Sequence, residues 1–313
     1  MCRESIQVCE KEYLEKLVAL CPDGIIAIDR SGIITVFNKS AEVLTGLDAR
    51  EVVGHMNIAE IYGSLEMAHE VKRNLYAEIS GGLGRLENYE MAVTRADGRQ
   101  VPIRLAATLI HKDGAEIGSV GFFHDLTARK KIEEKLRYLS ITDGLTELYN
   151  QRYFHVSITR ELERIKRYQR SLSLICIDLD HFKQCNDILG HMAGDNVLRL
   201  LAKLLVQNLR QADLAFRYGG DEFFVLLPET HLDNASGIAD KIRQMFNAQW
   251  PYEVEYHGQK VDPATLSIGV TQANSSENAE GLIKRADLAM YTAKREGGDR
   301  VVALTDEDSG PAG

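Results

Sequence analysis

The chain has 313 residues, 27% of them charged and 44% hydrophobic, which suits folded, water-facing domains and excludes a disordered polar chain. A net charge of −9 leaves no basic footprint for nucleic acid or an anionic membrane. No apolar run approaches the roughly 20 residues of a spanning helix, and Cys2–Lys16 is too studded with charge for a secretory signal, so a cytoplasmic chain without membrane insertion is expected.

The length suits two domains of ordinary size. Five cysteines (Cys2, Cys9, Cys21, Cys176, Cys185) show no C-x-x-C pair and no zinc spacing, and read as reduced thiols. In chain order, residues 10–20 place Leu14, Leu17 and Val18 on one helical face, with Cys21 next in that series. Asp23-Gly24 breaks that helix, and Ile25–Phe37 reads as two short β runs around Arg30-Ser31-Gly32, hence a hairpin. Short helices follow from Asn38 to Gly54, then a longer helix over residues 64–79 that Gly81-Gly82 closes. Three β-like runs come next, Leu86–Thr94, Gln100–His111 and Gly118–Asp125, separated by Asp97-Gly98 and Asp113-Gly114 turns.

Residues 126–141 carry Ile132, Leu136 and Leu139 at i, i+4 and i+7 among Arg129, Lys130, Lys131, Glu133, Glu134 and Lys135. That narrow apolar seam fits a two-stranded coiled coil or a helix packed on its own domain. Further on, Leu172–Asp178 is an apolar run of strand length that ends in an acid. Ala215–Tyr218 and Phe223–Leu227 are β-like runs around Gly219-Gly220, a step that permits positive φ and leaves bare backbone for a phosphate or ribose. Asp221 and Glu222 follow at once. A Gly-Gly turn beside acids is by itself an ordinary surface feature. A buried strand delivering Asp178 next to it would make an oxygen-ligand cluster of the kind hard cations such as Mg2+ want.

These residues carry a family resemblance. Gly219-Gly220-Asp221-Glu222-Phe223 resembles the signature of GGDEF-domain diguanylate cyclases, which join two GTP into cyclic di-GMP. Thr142–Asn150 is similar to the D-x-L-T-x-L-x-N opening of that domain, Asp178–Asp187 with Gly190–Asp195 to its metal and guanine segment, and Ala286–Lys294 to its closing helix. Two strands, helices, then three strands, with Asn38-x-x-Ala41 and the trailing Asp125-Leu-Thr, resembles a PAS sensor domain. The implied fold is α+β in two domains. A PAS antiparallel sheet with flanking helices spans 10–127, a helical coiled-coil linker 126–141, and a GGDEF domain with a nucleotidyl-cyclase-like palm 142–303. A disordered polar tail is expected over 304–313, with no phosphodiesterase domain.

The resemblance also implies roles. Asp178, the carbonyl of Leu179, Asp221 and Glu222 match the family's Mg2+ (or Mn2+) set, and Asp221 the group that helps deprotonate the ribose 3′-hydroxyl. Gly219 and Gly220 admit the nucleotide, while Asn186 and Asp195 match the pair that reads guanine, Asp195 disfavouring ATP. Leu145 and Phe182 would wall the base, and Lys183 and Lys294 would meet the triphosphate. Arg210 and Asp213 match the R-x-x-D site for inhibitory product, with Lys241 assisting. Gly298 stands where the family often has Arg, and Arg295 or Arg300 would substitute. Each domain holds one GTP, so a homodimer through the PAS domain and linker helix is implied. Rival readings are a non-catalytic cyclic di-GMP receptor, a cyclase that also uses ATP, and a plain scaffold. The PAS ligand is unknown: His55 and His69 are the histidines available to a haem, and a small apolar ligand or none is equally open.

Overall fold

The computed structural model describes residues 2–77, 83–250, 255–256, 259–260, 263–274 and 276–305. The chain divides into two compact units, Met1–Lys135 and Leu136–Gly313. No helix among the described residues is long and apolar enough to cross a membrane.

The first unit runs α1 (Cys2–Leu20), β1 (Gly24–Asp29), β2 (Ile34–Phe37), α2 (Lys39–Thr45), α3 (Ala49–Val52), α4 (Ile58–Tyr62), α5 (Leu65–Tyr76), β3 (Arg85–Thr94), β4 (Gln100–Lys112) and β5 (Ala115–Asp125). The strands form one antiparallel sheet in the order β2-β1-β5-β4-β3. Each short helix starts on a side-chain cap, Asn38, Asp48 and Asn57 in turn, which supplies an acceptor for otherwise orphaned N–H groups. Asn38 does more: its Oδ1 also accepts from Ile25 N, and its Nδ2 donates to the carbonyls of Val18 and Asp23, so α1, β1 and α2 meet on one buried amide. Strand alternation sends Val101, Ile103 and Leu105 of β4 inward to Ile26, Val71 and Phe123. The long helix is described as Leu65–Tyr76, and the Gly81-Gly82 expected to close it lies outside the described residues. On α1 the apolar positions Leu14 and Leu17 are exposed, so that face is not packed on its own unit.

Helix α6 (Thr127–Ile141) carries the chain onward and buries none of its residues. Ile132, Leu136 and Leu139 are 60%, 60% and 58% exposed, so the seam is largely uncovered by the described residues.

The second unit continues with β6 (Tyr149–Asn150), α7 (Gln151–Tyr168), β7 (Leu172–Asp180), α8 (Phe182–Leu189), α9 (His191–Asn208), β8 (Leu214–Gly219) and β9 (Glu222–Pro228). Then come α10 (Leu232–Ala248), the short pair β10 (Glu255–Tyr256) and β11 (Gln259–Lys260), β12 (Thr265–Gln272), α11 (Ala279–Arg295) and β13 (Arg300–Leu304). Because β13 runs to Leu304, the expected tail begins no earlier than residue 305, and 306–313 lie outside the described residues. The main sheet has the order β13-β12-β7-β9-β8-β6, antiparallel at its centre and parallel at its two edges. Both faces are covered. Ile175, Ile177 and Leu179 of β7 join the core under α9 and α10, while Leu172, Leu174 and Cys176 join the core under α7 and α11. Every residue from Leu172 to Leu179 is buried, and at about 1.5–3 kcal/mol per large apolar side chain the strand is a rigid platform. Gly269 lets α11 lie directly on β12, since a Cβ there would sit 2.2 Å from Ala286 O and 2.3 Å from Met290 N.

Candidate active site

Strand alternation decides where the acids point. Asp178 shares the α7/α11 face of β7 with Leu174 and Cys176, and Glu222 shares that face of β9 with Phe224 and Leu226. The two acids are opposite one another in the antiparallel register. Helix α11 covers this face, and Lys294 in its last turn sets its Nζ 2.6 Å from Asp178 Oδ1. Burial pushes the Asp178 carboxyl up to about 6, against the pull of Lys294, and the charges of Asp221 and Glu222 push the same way. Glu222 is also raised, by burial first and then by Asp221 and by Asp287 of α11. Asp287 is therefore a fourth acid in range of the cluster.

Among the described residues, no three His, Cys, Asp or Glu side chains converge closely enough to hold one ion by themselves. The donor set nevertheless fits a hard divalent cation. Asp178 and Glu222 are carboxylates facing each other across paired strands, both reluctant to be charged, and a lysine ammonium already rests on the more buried one. Leu179 is buried on the opposite face, with its carbonyl in the same strand end.

The β8–β9 turn stands beside the cluster. Gly220 has φ +51°, whereas Gly219 does not need a left-handed backbone, and a Cβ at either would meet open space. Neither glycine is thus required to avoid a protein clash at its Cβ, and the bare backbone faces outward. Arg217 holds the turn, donating from Nε (3.0 Å) and Nη2 (2.8 Å) to Gly220 O and from Nη1 (3.1 Å) to Asp143. Asp143 also accepts from Thr146 N and Oγ1. Burial pushes its carboxyl up, but the bonds from Thr146 and Arg217 outweigh that and hold it low. The 143–146 loop and the turn are therefore one unit. Sequence reasoning missed Arg217, although it is the one charge between Ala215 and Tyr218 in a strand whose neighbours are aromatic or aliphatic. Arg217→Ala should slow turnover about 10- to 100-fold, because misplacement of reacting groups by about 1 Å has that effect. The check is kcat against Tm: a fall in kcat with Tm within a few degrees of wild type supports positioning, and unchanged kcat rejects it.

Gly194 on α9 packs directly on Asn186 and Phe182 of α8. A Cβ there would lie 1.9 Å from Asn186 Oδ1 and 3.2 Å from Phe182 Cζ. The Asn186 amide makes no hydrogen bond to a described residue. Asp195 follows Gly194 at half exposure, with Arg199 Nη2 4.0 Å from its Oδ2. Leu145 and Phe182 both pack, half-buried, on the core under α9 and α10. Lys183 is exposed. Lys294, expected at the triphosphate, sets its ammonium on Asp178.

The departure at Gly298 has a local cause. Its φ is +72°, and a Cβ would lie 2.9 Å from Asp180 Oδ2, so a side chain at 298 is strained as well as crowded. Arg300 is committed to Glu296 and Gly298 O, whereas Arg295 makes no hydrogen bond or ion pair with a described residue. Asp180 itself ties this loop to the strand end, accepting from Thr265 Oγ1 (2.8 Å), Ser267 Oγ (2.7 Å) and Asp299 N (3.1 Å). Asp299 in turn accepts from Arg243 and Asn247 of α10, both at 2.8 Å. Nothing in the sequence pattern marked this chain of contacts.

At the end of α9, Asp213 accepts from Arg210 N at 2.8 Å, and Arg210 O accepts from Asp213 N at 3.0 Å, which closes a tight turn. The Arg210 guanidinium is exposed and makes no bond to a described residue. Both residues line a shallow concavity with Leu148, Tyr149, Val206 and Leu209, and Lys241 is not part of that lining.

Comparison with known proteins places these features. Residues 140–300, just over half of the chain, match the model of the diguanylate cyclase GGDEF domain, and residues 12–126 match the PAS fold. The chain is 39% identical over 181 residues to diguanylate cyclase DgcM of Escherichia coli, a match covering 58% of this chain and 42% of that protein. It is 40% identical over 175 residues to response regulator PleD of Caulobacter vibrioides, covering 56% of this chain and 38% of the relative. The chain thus spans well under half the length of these curated relatives. Among solved structures, the coiled coil and GGDEF domain of DgcB from Caulobacter crescentus, in complex with c-di-GMP, aligns with a TM-score of 0.54 at 28% identity over 57% of this chain and 93% of that one.

Proposed function

The chain belongs to the GGDEF-domain family, with a PAS domain ahead of the GGDEF domain, and on that premise we propose that it is a Mg2+-dependent diguanylate cyclase. In the reaction the 3′-hydroxyl of each of two GTP molecules attacks the α-phosphate of the other. Two ester bonds form, two phosphoanhydride bonds break, and two pyrophosphates leave with the hydroxyl protons taken up by bases. The observation that carries this reading is the Asp178–Glu222 pair under Lys294, beside a glycine turn whose backbone is open.

A bound divalent cation, held by Asp178, Glu222, Asp221 and the Leu179 carbonyl, would neutralise phosphate charge. The chain's own residues do the rest. The open Gly219-Gly220 backbone admits the phosphates. Asp221 takes the hydroxyl proton, and the raised Glu222 carboxylate beside it is a stronger base than an ordinary one. Lys294, Lys183 and Arg295 offer positive charge to the triphosphate, with Arg295 in the role that Gly298 cannot fill. Asn186 and Asp195 read the guanine edge, since N1–H and the exocyclic amine of guanine donate to a carboxylate and adenine offers no such pair.

One domain holds one nucleotide, so two copies face each other in the productive state. The unpacked seam of α6 supports pairing of two copies along that helix, and the PAS unit regulates the encounter through it. Product binds the exposed Arg210 fork and Asp213 and inhibits. Its substrate places the enzyme in the cytoplasm.

The test is nucleotide turnover by the full chain, stripped of bound product, with GTP or ATP and Mg2+. Cyclic di-GMP from GTP alone, lost in Asp221→Ala, is expected. No product from either nucleotide, with cyclic di-GMP binding that is lost in Arg210→Ala, would replace the cyclase with a receptor.

A further inference from the structure

The first unit contains a cavity of about 200 Å3 between the sheet and α4–α5. Its body is apolar: Ile26, Val71, Leu75, Ala107, Leu109 and Phe123 line it. A dry apolar cavity of about 150 Å3 accepts a benzene ring, so by proportion this one holds about eight non-hydrogen atoms. Haem and flavin are several times larger. His69 does line the cavity and His55 does not, but the volume removes haem as the occupant of the space as it stands.

Three polar features distinguish one kind of small ligand from another. Tyr62 stacks on Phe123 with ring centroids 6.2 Å apart, burial pushes its phenol up, and its hydroxyl makes no hydrogen bond to a described residue. Tyr62 is half-buried and lines the cavity, so its hydroxyl is available to donate to a ligand or water there. At the rim the two acids are already engaged. Asp29 Oδ1 accepts from Ser31 N, Ser31 Oγ and Ile33 N, and Glu116 accepts from the Tyr76 hydroxyl. The two rim cations, Arg30 and Lys72, have no hydrogen bond or ion pair with a described residue. The cavity thus offers an apolar floor, an unused donor, and two unused cations.

We propose that this cavity binds a small monocarboxylic acid, with its apolar body on the Phe123 and Leu75 floor and its oxygens meeting Tyr62 and the Arg30–Lys72 rim. This rests on the reading of the first unit as the sensor, and makes such an acid the signal that sets cyclase output. Size excludes long-chain acids, and the engaged state of Asp29 and Glu116 disfavours amines.

The test is calorimetric titration of the full chain with hexanoate and with benzoate, against hexanol, benzyl alcohol and benzylamine. The acids should bind at least about 10-fold more tightly than their neutral counterparts, and the amine should not bind. Ala107→Phe, which fills the cavity, should abolish binding. Arg30→Gln with Lys72→Gln, two exposed changes that spare the fold, should bring the acids down to the level of the alcohols. Equal binding of acid and alcohol, tighter binding of the amine, acid binding that survives in Ala107→Phe, or no binding of any probe would each overturn the proposal. Binding is read without turnover, so acid binding in a preparation that makes no cyclic di-GMP would leave this inference standing and count against the cyclase reading alone.

Discussion

Asp178→Asn should lower GTP turnover in Mg2+ by about 10²–10³-fold or more, and in metal-free buffer near neutral pH it should raise Tm by a few degrees. The two effects have one origin. In the folded chain the Asp178 carboxyl is lifted from 3.8 to about 6, chiefly by burial. Between those values the folded state keeps a proton that the unfolded state has released, so stability falls as pH rises from about 4 to about 6 and stays reduced above. A shift of about two units corresponds to a penalty on the order of 2–3 kcal/mol at neutral pH, and the Asp178 side chain is only 8% exposed, so solvent screens little of it. An amide carries no such penalty. Lys294, at 37% exposure, can return its ammonium to water when its partner is gone. Mg2+ should raise the Tm of the wild type by binding the native state and leave that of Asp178→Asn unmoved. A variant that turns over normally, or that melts well below wild type without metal, would show that Asp178 is a structural acid.

Inserting one residue after Lys135 in α6 should change turnover at least 10-fold, whereas inserting seven should leave it within a few-fold of wild type. One residue rotates the downstream part of the helix by about 100° and advances it by about 1.5 Å, while seven residues come close to two full turns. Ile132, Leu136 and Leu139 form a seam only while their phase is continuous, and their exposure of about three-fifths leaves that seam open. Sedimentation of both variants, beside the assay, separates loss of pairing from loss of coupling. If both insertions change turnover alike, the uninterrupted helix rather than its phase matters. If neither changes turnover, α6 does not transmit.

The apolar runs of β7 and β9, the turns between the strands of the first unit and the i, i+4, i+7 seam of α6 were legible in the sequence, because each is a local pattern of residue types. So were the order of elements in both units and the acids at the strand ends. The partners of those acids were not. Lys294 reaches Asp178 across 116 positions, Arg217 joins Asp143 across 74, and Asp180 meets Asp299 across 119. Such pairs depend on how α11 and the 143–146 loop dock on the sheet, which no short window encodes.

Gly298 shows the division most clearly. In the sequence it is a missing arginine. In the fold it is a left-handed residue pressed against Asp180, whose replacement by any side chain would crowd the loop that holds the strand end. Residue order alone was enough to mark the acids, the turns and the strands, since backbone preference and hydrophobic period are local. Which of those residues touch, which charges are paired or left open, and how large the cavity under Tyr62 is were all set in three dimensions, by packing between elements far apart in the chain.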